Sequence, residues 1–156
     1  MAEAVVEGTE APAFSLPATG DRTISLSDYS GKFLVLYFYP KDDTSGCTKE
    51  AIAFSGLKDS IEKAGAAILG VSPDSVVSHE KFKKKHALEI DLASDEEKAM
   101  LESYGVWVEK SMYGRKYMGV ERSTFLIGPD GKIAKVWRKV KVPGHAEAVL
   151  KAIEEA

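Results

Sequence analysis

"KFLVLYFYPKDDTSGCTKE", residues 32–50, decides the fold. Its first half is a continuous apolar, aromatic and β-branched run, the pattern of a strand buried on both faces. Pro40 closes the run, since proline cannot donate to a strand ladder. A polar loop follows, and Gly46 and Cys47 open a stretch with helical spacing. Ile52, Leu57 and Ile61 are its apolar positions, and Gly65 is its stop. The stretch therefore reads as a buried strand, a polar loop and a helix over 46–63.

The flanks extend the same alternation. Upstream, "APAFSLPATGDRTISLSDYSGK" (11–32) alternates short apolar stretches with Pro, Gly and Asp, a hairpin-like region ending in a turn. Downstream, "AAILGVSPD" (66–74) is a second buried strand, "SVVSHEKFKKKHAL" (75–88) a charged amphipathic helix and "EIDLAS" (89–94) a short extended piece. "DEEKAMLESYG" (95–105) has an acidic first turn and a terminal glycine, which predicts a helix. "GVWVEKSMYGRKYMG" (105–119) is compatible with strands or with a loop. "STFLIGPDGKIAKVWR" (123–138) contains a β-hairpin turning at "GPDG", and "GHAEAVLKAIEEA" (144–156) is a closing helix. Strand and helix alternate, then a hairpin and a helix close the chain. The expectation is an α/β fold with a thioredoxin-like architecture: a central mixed β-sheet flanked by helices, with an N-terminal β-hairpin, as a single domain over 1–156.

The chain has 156 residues, 44% hydrophobic and 29% charged, as in ordinary globular proteins. Its net charge of −3 argues against a nucleic-acid partner. No apolar run approaches the roughly 20 residues of a membrane span, so no membrane partner is expected. "MAEAVVEGTEAPAF" lacks the basic and apolar regions of a signal peptide. A single cysteine excludes an intrachain disulfide and a cysteine-rich zinc site. A reducing compartment, the cytoplasm, is expected.

That one cysteine is Cys47. A free cysteine is often only a small buried hydrophobe. Cys47, however, sits in the first turn of the expected helix, where unpaired N–H groups and the helix dipole favour an anion. It also lies past the C-terminal end of a buried strand, where open α/β sheets place their sites. A dithiol centre at such a junction reads C-x-x-C, whereas here the window is "TSGC", with Thr44 in the place of the first cysteine. Dithiol exchange is excluded by stoichiometry. One thiol remains, with a hydroxyl three residues before it.

"YFYPKDDTSGCTKEA" (37–51) resembles the active-site segment of the peroxiredoxins, P-x-x-x-T-x-x-C, and more narrowly that of the bacterioferritin-comigratory or peroxiredoxin Q subfamily. The resemblance continues through "VSPDSVVSHEKF" (71–82) and "GVERSTFLIGPDGKI" (119–133), and so covers most of the chain. Pro40, Thr44, Cys47 and Arg122 match the family's functional residues. Thioredoxins carry a proline just before the strand that here starts near Ser123, whereas this chain has Val120 and Glu121 there.

The resemblance implies a thiol peroxidase, in which the Cys47 thiolate attacks a peroxide oxygen. Lowering a thiol pKa from about 8.5 to ~6 raises its thiolate fraction near neutrality roughly 30-fold. A Brønsted slope of ~0.45 takes back about 10-fold in nucleophilicity. Most of the rate must therefore come from orienting and polarising the peroxide. The resemblance gives that work to Thr44 and Arg122, with Pro40 shielding the thiolate from water. Each has a simpler alternative: Pro40 as a strand stop, Thr44 as a helix cap, Arg122 as a surface charge. Glu50, one helical turn after Cys47, can orient an arginine, but a helix-surface glutamate is the default. No cofactor and no metal are expected.

Two departures from the family concern the second half of the cycle. Where many relatives keep a resolving cysteine, five residues after the first, this chain has Ile52, and "HEKFKKKH" (79–86) holds no cysteine. The expectation is a one-cysteine cycle with an external thiol reductant: thioredoxin, glutaredoxin or glutathione. The partners are then a peroxide and that thiol, with the chain itself a monomer or weak homodimer. His79 and His86 are expected on a solvated helix face rather than at a metal, and "KFKKKH" (81–86) as a charged surface. Trp107, Tyr113 and Tyr117 are spaced as core or pocket-wall residues. The rival readings are an interaction or holdase module with a vestigial cysteine, and a monothiol transferase acting on glutathione mixed disulfides. Retention of all four family positions counts against the first. The second lacks an obvious glutathione-binding signature.

Overall fold

The computed structural model describes residues 5–156. The chain runs β1 (Ser15–Ala18), β2 (Arg22–Ser25), a 3-10 turn (Leu26–Tyr29), β3 (Phe33–Phe38), α1 (Ser45–Gly56), α2 (Lys58–Lys63), β4 (Ala66–Ser72) and α3 (Val76–His86). It continues with β5 (Asp91–Ser94), α4 (Ala99–Ser103), β6 (Trp107–Met112), β7 (Arg115–Val120), β8 (Ser123–Ile127), β9 (Ile133–Trp137) and α5 (His145–Glu155). Seven strands form one mixed sheet in the order β2-β1-β5-β4-β3-β8-β9. β3, β4 and β5 are parallel, while β8 runs antiparallel to β3. The N-terminal hairpin β1–β2 joins the sheet edge through β5.

β3 lies inside this sheet, and its alternation builds both halves of the core. Leu34, Leu36 and Phe38 face one layer, packed with Phe125, Met100, Leu101 and Tyr104. Val35, Tyr37 and Tyr39 face the other, packed with Phe54 of α1, Ile61 of α2, Phe82 of α3 and Val149 of α5. Cys47 belongs to this second layer. A run of side chains buried on both faces can only be covered by elements on both sides, which is why the continuous apolar pattern fixed the layer count.

Several expectations need correction. The helix over 46–63 pauses at Leu57, directly after Gly56, and resumes as α2. Residues 95–98 form a turn instead of a first helical turn. The Asp95 carboxylate accepts from Leu101 N at 2.8 Å and Lys98 adopts φ +64°, so the helix begins only at Ala99. Segment 107–120 resolves into a two-stranded hairpin, β6–β7, separate from the main sheet. At its tip Tyr113 is 98% exposed, with Tyr117, Met112 and Met118 also exposed, so Tyr113 and Tyr117 are not core residues; Trp107 is half-buried. His79 does not sit on a solvated face: α3 turns it and Phe82 inward, and His79 is fully buried. His86 stays near the surface, where it and Lys85 pair with Asp43. Among the described residues, no helix is long and apolar enough to cross a membrane.

Candidate active site

The site grows from the junction of β3 and α1. Pro40, half-buried, ends the strand region and starts the loop. Asp43 takes φ +59°, and Thr44 returns to extended geometry at the N-cap of α1. The first helical bond closes there, Thr48 N donating to Thr44 O at 2.8 Å. The Thr44 side chain does not cap the helix. Its hydroxyl is exposed and donates to Lys41 O at 2.8 Å, which leaves oxygen lone pairs free to accept.

Cys47 is the third residue of α1 and is only 2% exposed. Arg122 reaches it from the residue just before β8. β8 pairs with β3 so that Ser123 lies opposite Phe38, which places the preceding residue beside the end of β3. Val140 N donates to Arg122 O at 2.9 Å and ties that backbone to the segment after β9. The guanidinium then forks: Nη2 donates to Cys47 Sγ at 3.2 Å, and Nη1 donates to Glu50 Oε1 at 2.7 Å. Gly46 makes room for it, because a Cβ there would sit 3.2 Å from Nη2.

Glu50 is not a surface residue but is 1% exposed. Burial pushes its carboxyl up to about 7, against the opposing pull of Arg122. Burial works against the charge of Arg122 too, but Glu50 and Cys47 outweigh it and the guanidinium is held more firmly protonated. Glu50 Oε2 and the Tyr37 hydroxyl are buried without a hydrogen-bond partner among the described residues. Burial, with the charges of Glu50 and Cys47 adding to it, keeps the Tyr37 phenol neutral. His145, at the start of α5, lies 2.7 Å from Thr124 Oγ1 on the same face of β8. Burial, reinforced by Arg122, drops its pKa to about 4.

Of the four sequence-derived residues, Cys47 and Arg122 are in direct contact. Thr44 stands at the same helix start with its hydroxyl turned to Lys41, and Pro40 makes the half-buried entry to the loop. Glu50 joins them as the arginine's second partner. Spacing along α1 carried a signal for Glu50. None existed for His145 or Tyr37, which the packing of α5 and β3 brings to the site, and Gly46 was read only as the opening of the helix. Chemically, the arrangement presents one shielded thiol, a fixed cation against its sulfur and a nearby hydroxyl acceptor.

Comparison with known proteins agrees with this geometry. The profile described as AhpC/TSA family matches residues 8–136. A protein named putative peroxiredoxin bcp from Coxiella burnetii is 50% identical over 143 residues, covering 92% of this chain and 95% of that one. Peroxiredoxin Bcp of Xanthomonas campestris is 47% identical over 156 residues, covering 99% and 97%. Among solved structures, Xanthomonas campestris peroxiredoxin Q superposes with a TM-score of 0.90 at 46% identity, covering 96% of this chain and 97% of that one. A second structure of that bacterium's bacterioferritin comigratory protein, described in terms of alkyl peroxide reduction, also gives 0.90, at 45% identity over 96% and 98%. By these matches the protein is a thiol peroxidase, and this chain belongs to the AhpC/TSA family, among its Bcp/peroxiredoxin Q members.

Proposed function

We propose that this peroxidase runs a one-cysteine cycle on Cys47, reducing hydrogen peroxide and organic hydroperoxides, with an external thiol completing each turnover. The observation that carries it is the 3.2 Å contact between Arg122 Nη2 and the sulfur of the chain's single cysteine. The Cys47 thiolate attacks one peroxide oxygen, the O–O bond breaks, and the departing alkoxide or hydroxide takes up a proton. Cys47 is left as a sulfenic acid. Arg122 donates to the peroxide oxygens as negative charge moves onto the leaving one. The Thr44 oxygen accepts from the peroxide O–H, and Pro40 keeps water from the thiolate.

A reductant thiolate then attacks the sulfenic sulfur, forming a mixed disulfide as water leaves. A second thiol displaces Cys47 and ends the cycle. Neither position that holds a resolving cysteine in the resembling subfamily supplies one here, and Ile52 at the first is 48% exposed. Thioredoxin, glutaredoxin and glutathione are the reductant classes that fit. A single unpaired cysteine suits the cytoplasm, and the chain acts as a monomer or weak dimer.

The test is peroxide consumption with each reductant, comparing the parent with Cys47→Ser. Loss of turnover in the variant is expected, and parent-like turnover rejects the assignment of Cys47. Intact mass after graded peroxide should show monomeric sulfenic, then sulfinic species. A disulfide-linked dimer as the sole product rules out the one-cysteine cycle.

A further inference from the structure

The loop that carries Thr44 and launches α1 is held from beneath by a buried polar cluster that the peroxide chemistry above does not use. Asp42, two residues before Thr44, is 8% exposed, and both its carboxylate oxygens are engaged. Oδ1 accepts from Tyr39 Oη at 2.6 Å. Oδ2 accepts from Ser78 Oγ at 2.8 Å and lies 2.8 Å from His79 Nδ1. The other ring nitrogen, His79 Nε2, lies 2.9 Å from Ala93 O of β5. Through its two ring nitrogens His79 thus bridges the Asp42 side chain and the backbone of β5. Asp42 N in turn donates to Asp74 Oδ2, which also accepts from Ser72 Oγ at the end of β4.

This cluster does not read as a cation site. Asp42, Asp74 and His79 offer ligand atoms within 4.8 Å of one another, but hydrogen bonds inside the protein already occupy them. Nor is stability a sufficient reason for it. A buried polar or ionic pair contributes little or nothing relative to apolar side chains of the same volume, whereas removing one partner is severe. What the pair supplies is direction. The bonds at Asp42 come from three elements: Tyr39 at the end of β3, Asp74 in the turn after β4, and Ser78 and His79 of α3, which is braced against β5.

We propose that Asp42 and His79 form a positioning latch, fixing the loop so that the Thr44 oxygen and the first turn of α1 face the incoming peroxide. His79 is a positioning residue and acts on the reaction only through Asp42. A second clamp, Asp43 with Lys85 and His86, ties the same loop to the last turn of α3. Its exposure makes it the weaker of the two. The inference rests on the peroxidase reading.

The test measures two rates on folded protein: oxidation of Cys47 by hydrogen peroxide, and its alkylation by iodoacetamide at the same pH. Peroxide needs the loop's geometry, whereas the alkylating agent needs only an accessible thiolate. His79→Gln and Asp42→Asn are expected to slow oxidation by about tenfold to a hundredfold, as a displacement of about an ångström does. Alkylation should stay within about threefold of the parent, and the double variant should be no slower than the slower single one. Parent-like oxidation in folded His79→Gln overturns the latch. So does slowed oxidation accompanied by much faster alkylation, which marks simple loosening of a site that is 2% exposed. If His79→Gln fails to fold, Ser78→Ala carries the test, since it deletes one bond to Asp42 and spares the ring. A rate several-fold below the parent supports the latch, and an equal rate overturns it. A parent that ignores peroxide rejects the peroxidase reading and the latch with it, whereas a reactive parent with indifferent variants rejects the latch alone.

Discussion

Arg122 is the residue on which the site's geometry turns, because one planar fork holds both the Cys47 sulfur and the Glu50 carboxyl group. Arg122→Met should lower the rate of Cys47 oxidation by about 10²–10³-fold, the scale seen when one transition-state donor is removed. Arg122→Lys should recover only part of it, since an ammonium has no fork to span both partners. Stopped-flow oxidation kinetics on all three proteins would check this, and a fully active lysine variant would reject the fork argument. Gly46→Ala is a subtler probe. Its Cβ would meet Nη2 at 3.2 Å, so the guanidinium must give way, and oxidation should slow about tenfold with little change in unfolding midpoint. The contact of Cys47 with Arg122 joins two positions the sequence had singled out, Cys47 by the P-x-x-x-T-x-x-C spacing and Arg122 by the resemblance over 119–133. Glu50 was legible only as a neighbour on the helix. Its partner Arg122 lies 72 residues further along the chain, a pairing that no local pattern encodes.

At the level of elements, β3 was readable because burial on both faces leaves an unbroken apolar signature, and the β8–β9 hairpin because its turn residues are specific. The break at Leu57 and the shortened α4 were not. The shortened α4 is set by a hydrogen bond that competes locally with the helix, Leu101 N donating to the Asp95 carboxylate. The parallel contact of β3 with β4 also depends on a detail at residue 70. A Cβ on Gly70 would lie 2.8 Å from Tyr37 Cζ and 2.9 Å from Leu92 Cδ2, so the tyrosine lies across a gap that only glycine leaves. Gly70→Ala should destabilise the fold by about 1–3 kcal/mol through overpacking. Urea denaturation would measure it, and a neutral result would show that Tyr37 can swing clear without loss.

For the whole molecule, two buried groups near the site titrate in opposite senses. Glu50 has its pKa raised from 4.5 to about 7, so it supplies stability that is complete below 4.5 and lost as pH rises through 7. His145 has its pKa lowered from 6.5 to about 4, so its contribution is complete above 6.5 and lost as pH falls through 4. Between 4.5 and 6.5 the folded state holds the proton on Glu50 and the unfolded chain holds it on His145, so the two slopes cancel. Glu50→Gln should unmask stability that rises by about 1.4 kcal/mol per pH unit in that window, and His145→Asn a fall of similar size. Chemical denaturation across the window would read both slopes. Parallel curves for parent and variants would refute the opposed shifts.

The projecting β6–β7 hairpin matters for anyone counting oxygens on this protein. It leaves Met112 56% and Met118 48% exposed, two thioethers more open to oxidant than the Cys47 thiol. Each gains a single oxygen on becoming a sulfoxide, as Cys47 does on becoming a sulfenic acid. One added oxygen is therefore not, by itself, a signature of turnover. A dimedone adduct on Cys47, or a chain carrying Met112→Leu and Met118→Leu, separates a working site from a weathered surface.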